Sequence, residues 1–165
     1  MPVSTKVDAL ESQVIELERQ LMRERGLSET EMVRIPVYTT PLSAGRGNMQ
    51  PSDYVVSYKD IIHDWLKYIV QIDPARAFIA TVMGDSMTHL LVDGDLVLGV
   101  HGEEIDRDGV WAVAFNEELF VKHVQRERGR LVLRSENNRY SDIVVTPDDS
   151  FYPIGRIIRA VKDIY

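Results

Sequence analysis

Residues 77–87 read Ala77-Phe78-Ile79-Ala80-Thr81-Val82-Met83-Gly84-Asp85-Ser86-Met87, an apolar run that stops at a glycine with a serine close behind it. The span Ala77–Met83 has the length and texture of a strand. The same pattern recurs downstream in Leu96–Val100, Val110–Phe115, Leu119–Gln125, Arg130–Arg134, Ile143–Thr146 and Ile154–Val161. Turn formers separate these runs at Asp93-Gly94, Asp108-Gly109, Asn116-Glu117 and Arg128-Gly129. Closely spaced short strands predict a mainly antiparallel β domain.

Upstream the periodicity changes. Ile61, Ile62, Trp65, Leu66, Ile69 and Val70 recur at helical spacing behind Ser57 and Asp60, a weak form of capping box, with Pro74 beyond the end. This predicts one amphipathic helix flanking the β domain. Residues 27–53 read as a linker holding one short strand, Ile35–Tyr38, and a polar, turn-rich loop from Thr39 to Asn48. At the N-terminus Val7, Leu10, Val14, Leu17 and Leu21 are spaced 3, 4, 3 and 4 apart, with Lys6 and Glu11 at flanking positions. That seam suits either a parallel coiled coil or an amphipathic helix lying on its own domain, ending at Gly26. The chain thus divides into a coiled-coil helix over 1–26, a linker over 27–53 and the β-rich body over 54–165.

Composition narrows the function. Nineteen Lys and Arg against 26 Asp and Glu give a formal charge of −7, against a free-standing nucleic-acid binder. No cysteine is present, so disulfides and thiolate metal sites are excluded, and the four histidines show no zinc-motif spacing. No cofactor or metal is expected. Nothing resembles a secretory leader or a membrane span, so the expected compartment is the cytoplasm.

Two residues stand out chemically. In Met83-Gly84-Asp85-Ser86-Met87 a strand enters a glycine turn, which projects the Ser86 hydroxyl and leaves backbone N–H groups free to face an oxyanion. Lys122 lies in Leu119-Phe120-Val121-Lys122-His123-Val124, where alternation places it between Phe120 and Val124 and turns His123 to the opposite face. Such a lysine either snorkels from an edge or is a partly buried amine whose lowered pKa fits it for general-base work. A Ser-His-Asp triad is the rival, with His89 only three residues from Ser86.

Gly84-Asp85-Ser86-Met87, Asp93-Gly94-Asp95, Val121-Lys122, Ser135-Glu136-Asn137-Asn138-Arg139-Tyr140 and Ile154-Gly155-Arg156 occur in the order found in LexA-like peptidase domains, and residues 35–165 resemble that family of SOS repressors, phage repressors and the polymerase accessory protein UmuD. The resemblance implies a LexA C-terminal-type fold and a self-cleaving serine endopeptidase. Ser86 would be the nucleophile, Lys122 the base, and the backbone N–H groups of Asp85 and Ser86 the oxyanion donors. The bond cut would be Ala44–Gly45. It also implies a homodimer, a RecA filament as activator, and contact with DNA only through a helix-turn-helix domain that this chain does not contain. Cleavage would part the heptad helix from the catalytic body. Thr88 and His89 depart from the acidic residue and proline that commonly follow the family's serine. A non-catalytic oligomerisation domain of a repressor and a UmuD-like polymerase subunit are the alternative readings.

Overall fold

The computed structural model describes residues 3–42, 44–45 and 47–161. Helix α1 (Val3–Glu24) leads into strand β1 (Met32–Tyr38), and β2 (Val55–Ile62) returns antiparallel to it from Tyr38↔Val55 to Met32↔Ile62. The remaining strands are β3 (Ala77–Thr81), β4 (Leu96–His101), β5 (Gly109–Phe115), β6 (Glu118–Glu127), β7 (Arg130–Arg134), β8 (Ile143–Val144) and β9 (Phe151–Val161). They form one sheet in the order β2-β1-β3-β4-β9-β5-β6-β7-β8. Every pairing is antiparallel except β1 with β3. The mainly β expectation holds.

The helix expected behind Ser57 and Asp60 is absent. Residues 55–62 are strand β2, and only a short π-helical turn, Trp65–Val70, follows. Val55, Val56, Tyr58, Ile61 and Ile62 are strand formers, and seven rungs with β1 outweigh a weak cap signal. The helical spacing was real only for Trp65, Leu66, Ile69 and Val70, which pack on the core beside β1 and β3.

Helix α1 ends as its glycine predicts. The Gly26 N–H donates to the Arg23 carbonyl and the Leu27 N–H to that of Met22, the paired bonds of a Schellman stop. Met22 is fully buried, and one turn back the Glu18 carboxylate accepts from Trp65 Nε1 and Arg159 Nη1, each at 2.8 Å. The neighbouring heptad stripe faces solvent: Leu10, Val14 and Leu17 are 61%, 46% and 64% exposed. The helix therefore lies on its own domain through one stripe and leaves the heptad stripe uncovered. The side chains of Lys6 and Val7, the first part of that seam, lie outside the described residues.

The Ile154-Gly155-Arg156 motif has a packing explanation. A Cβ on Gly155 would lie 2.2 Å from the Val100 carbonyl oxygen and 2.4 Å from the Phe78 ring. Only glycine lets β9 close against β4 over that ring.

Candidate active site

Beyond β3 the chain is held in a tight reversal. The Val82 N–H donates to the Asp95 carbonyl and the Gly94 N–H to that of Val82, at 2.9 and 2.8 Å. The Asp93 carboxylate accepts from the Gly84 N–H at 2.7 Å, and Asp95 Oδ2 from the Val92 N–H at 3.0 Å. The Asp93-Gly94-Asp95 motif is thus the clamp for the turn that carries the serine. Gly84, at φ +75°, adopts the left-handed conformation at which the chain turns. Below the turn Met87 and Leu91 are buried in the central core. Ser86 is half-buried and lines a cleft of about 360 Å³ together with Lys122, Ser135 and Tyr140.

Strand β6 supplies the amine. Leu119 and Val121 point into the central cluster around Phe78, while Phe120 and Val124 belong to a second cluster beneath β5, β7 and β8. Lys122 shares the face of Phe120 and is 3% exposed, which decides between a snorkelling and a buried lysine in favour of burial. Its Nζ lies 5.4 Å from the Phe120 ring centre and 5.6 Å from that of Tyr140, and donates to Ser135 Oγ at 2.7 Å. Removal from water holds its pKa below the ordinary lysine value.

Segment 135–140 joins the two parts. The Asn137 N–H donates to the Ser86 carbonyl at 2.9 Å and its Nδ2 to the Asp85 carbonyl at 3.1 Å. The Tyr140 hydroxyl donates to the Asp85 carboxylate, which raises the phenol's pKa. His123 Nε2 lies 2.8 Å from Glu136 Oε2, on the face away from Lys122. The sequence marked this segment only as a motif. Its individual roles had no local signal, because they depend on the register that carries β7 past β6.

Ala44 and Gly45 are not brought to the serine. They belong to the connection between β1 and β2, a hairpin closed by the Thr39 N–H donating to the Tyr54 carbonyl at 3.0 Å. Ala44 packs against the central cluster, to which β6 contributes Leu119 and Val121. Thr40 Oγ1 accepts from the Leu119 N–H at 2.9 Å. Neither Ala44 nor Gly45 lines the cleft of Ser86 and Lys122.

No histidine lines that cleft. His63 is bonded to Asp64, His101 packs against Tyr38 and Phe78, His123 faces Glu136, and His89 is exposed. Glu31, His63 and Asp64 form the one cluster of potential metal ligands among the described residues, with Asp64 engaged by His63 and by the Ser28 N–H.

The Peptidase S24-like family model matches residues 36–158. The chain is 41% identical over 76 residues to LexA repressor 2 of Pseudomonas syringae pv. tomato, covering 45% of this chain and 37% of that protein. It is 39% identical over 77 residues to the LexA repressor of Dechloromonas aromatica, covering 46% and 38%. Similarity to the 26 kDa repressor protein of Escherichia phage HK022 runs over 111 residues at 26% identity, covering 65% and 47%. In each case the match spans less than half of the relative's length.

Proposed function

Because the chain belongs to the Peptidase S24-like family, we propose that it is a self-cleaving serine endopeptidase of a LexA- or phage-type repressor, cutting its own Ala44–Gly45 bond. The observation that carries this reading is Lys122, a residue 3% exposed, lining one cleft with Ser86. A buried amine is readily neutral, and a neutral amine beside a serine is a base. Lys122 Nζ takes the proton of Ser86 Oγ as that oxygen attacks the Ala44 carbonyl carbon. The backbone N–H groups of Asp85 and Ser86 receive the oxyanion. Lys122 then passes the proton to the Gly45 nitrogen as the peptide bond breaks, and water releases the Ala44 ester from Ser86.

The docked position of the loop supports a restrained reaction. With Ala44 packed on the central cluster, the scissile bond must leave that site before it meets Ser86. An agent that binds the loop in its engaged position accelerates cleavage by shifting that population. By family resemblance that agent is a RecA filament in an SOS-type response. The exposed Leu10, Val14 and Leu17 stripe supports pairing with the same stripe of a second copy.

Cutting after Ala44 does not by itself part the two products. The first carries β1, which is paired on one side with β2 and on the other with β3. Release of α1 then requires β1 to peel out of the sheet.

The test is incubation of the pure full chain at about pH 10, near the ordinary lysine range, followed by mass measurement under denaturing conditions. Wild type yields two fragments with Gly45 as the new N-terminus, while Ser86→Ala and Lys122→Ala stay whole. A wild-type chain that remains intact, with and without activated RecA filament, overturns the proposal.

A further inference from the structure

We infer that Ser135 is a positioning residue for Lys122, accepting one N–H of the buried amine so that the nitrogen lone pair is aimed across the cleft at the Ser86 hydroxyl. The inference rests on the self-cleavage reading above, and it follows from strand register. The paired rungs of β6 and β7 end with His123 opposite Arg134, which leaves Ser135, the first residue past β7, beside Lys122. The two side chains meet at 2.7 Å.

A neutral primary amine has two N–H bonds and one lone pair, and rotation about its last carbon–nitrogen bond can send the lone pair in any of three directions. The rings of Phe120 and Tyr140, 5.4 and 5.6 Å from the nitrogen, restrict the space around it but offer no strong acceptor. An acceptor at Ser135 pins one N–H and so restricts where the lone pair points. When Ser86 gives up its proton, the same oxygen receives a hydrogen bond from the resulting ammonium, at a place that water reaches poorly. No proton passes through Ser135: it moves from Ser86 Oγ to Lys122 Nζ, while the bond to Ser135 is retained. The titratable groups that share the cleft are Asp85, from the serine turn, and Tyr140, from the segment after β7, and they are bonded to each other. From β5 the amine is faced by Trp111, which does not titrate.

The experiment follows self-cleavage of the full chain against pH for wild type, Ser135→Ala, Ser135→Cys and Ser135→Thr. In parallel, NMR titrates the Lys122 amine in Ser86→Ala and in Ser86→Ala with Ser135→Ala, neither of which can cleave. Losing the aim lowers the high-pH plateau by up to about 100-fold in the alanine and cysteine variants, and threonine restores most of it. The midpoint shifts to lower pH, because a buried ammonium has lost its acceptor. A merely loosened site would instead admit water and shift the midpoint upward. The inference is overturned by an alanine variant with the wild-type plateau and midpoint, or by a Lys122 titration that Ser135→Ala leaves unmoved or raises. A wild type that never cleaves sinks the self-cleavage reading instead, and the titration still decides whether Ser135 holds the amine.

Discussion

Trp111 on β5 and Lys122 on β6 face each other across one rung of the sheet. The next strand on one side sets Arg156 opposite Trp111, and on the other the chain leaving β7 brings Ser135 Oγ to 2.7 Å from Lys122 Nζ. The amine therefore stands in a row of side chains on one sheet face, beside an indole that is itself buried. Its removal from water follows from strand alternation and pairing together with the segment after β7, which lays Ser135 and Tyr140 beside it.

That burial has a signed consequence for stability. The folded-state pKa of Lys122 is lowered, so between it and the ordinary value the unfolded chain binds more protons, and stability rises with pH through that window. Below the window the folded protein carries the full desolvation penalty of the charged amine. Lys122→Met, close in shape and uncharged, abolishes cleavage and raises the melting temperature at pH 7. The gain shrinks to nothing above the ordinary lysine pKa. Melting curves across pH check this, and a destabilised methionine variant at neutral pH would refute it.

Gly155 offers a test of the fold apart from the chemistry. In Gly155→Ala the new carbon meets the Val100 carbonyl oxygen and the Phe78 ring at 2.2 and 2.4 Å. Overpacking of this kind costs about 1–3 kcal/mol. Denaturant unfolding measures it. Adding Phe78→Leu recovers only part of the loss, because the backbone clash stays.

Much of the β domain was legible because its turns carry their own chemistry. Asn116-Glu117 and Arg128-Gly129 both adopt positive φ and close two-residue hairpins where Phe115 meets Glu118 and Glu127 meets Arg130. Strand β7 falls where its sequence places it, at Arg130–Arg134. Strand β2 was misread because Ile61 and Ile62 satisfy a helical period while serving a strand, and its partner β1 lies across a long loop. At the site, alternation placed Lys122 on the Phe120 face, but its burial needed Trp111, through strand pairing, and Ser135 and Tyr140, from the segment after β7, none of them visible to local pattern.

The attachment of α1 separates its two stripes. Glu18→Ala removes the acceptor shared by Trp65 Nε1 and Arg159 and loosens the helix from the body, with a loss of about 1–3 kcal/mol. Trp65 fluorescence follows the change. Leu10→Lys with Leu17→Lys alters the exposed stripe instead, so it leaves the unfolding midpoint of the body near wild type, and under the proposed pairing of this stripe with that of a second copy it shifts the mass measured by light scattering from dimer toward monomer. A dimer that survives both lysines would place the self-association elsewhere.

Thr40 tests whether the docked loop restrains cleavage. Its Oγ1 accepts the Leu119 N–H at 2.9 Å, holding the segment before Ala44 to the start of β6. Thr40→Val keeps the shape and removes the acceptor, leaving that N–H unpaired only while the loop is docked. A loss of about 1 kcal/mol from the docked state alone raises the released population about fivefold. If release precedes attack by Ser86, the first-order rate of self-cleavage at fixed pH rises by the same factor, although the protein as a whole is less stable. A rate that stays constant or falls would mean that the packing of Ala44 on the central cluster is not what holds the reaction back.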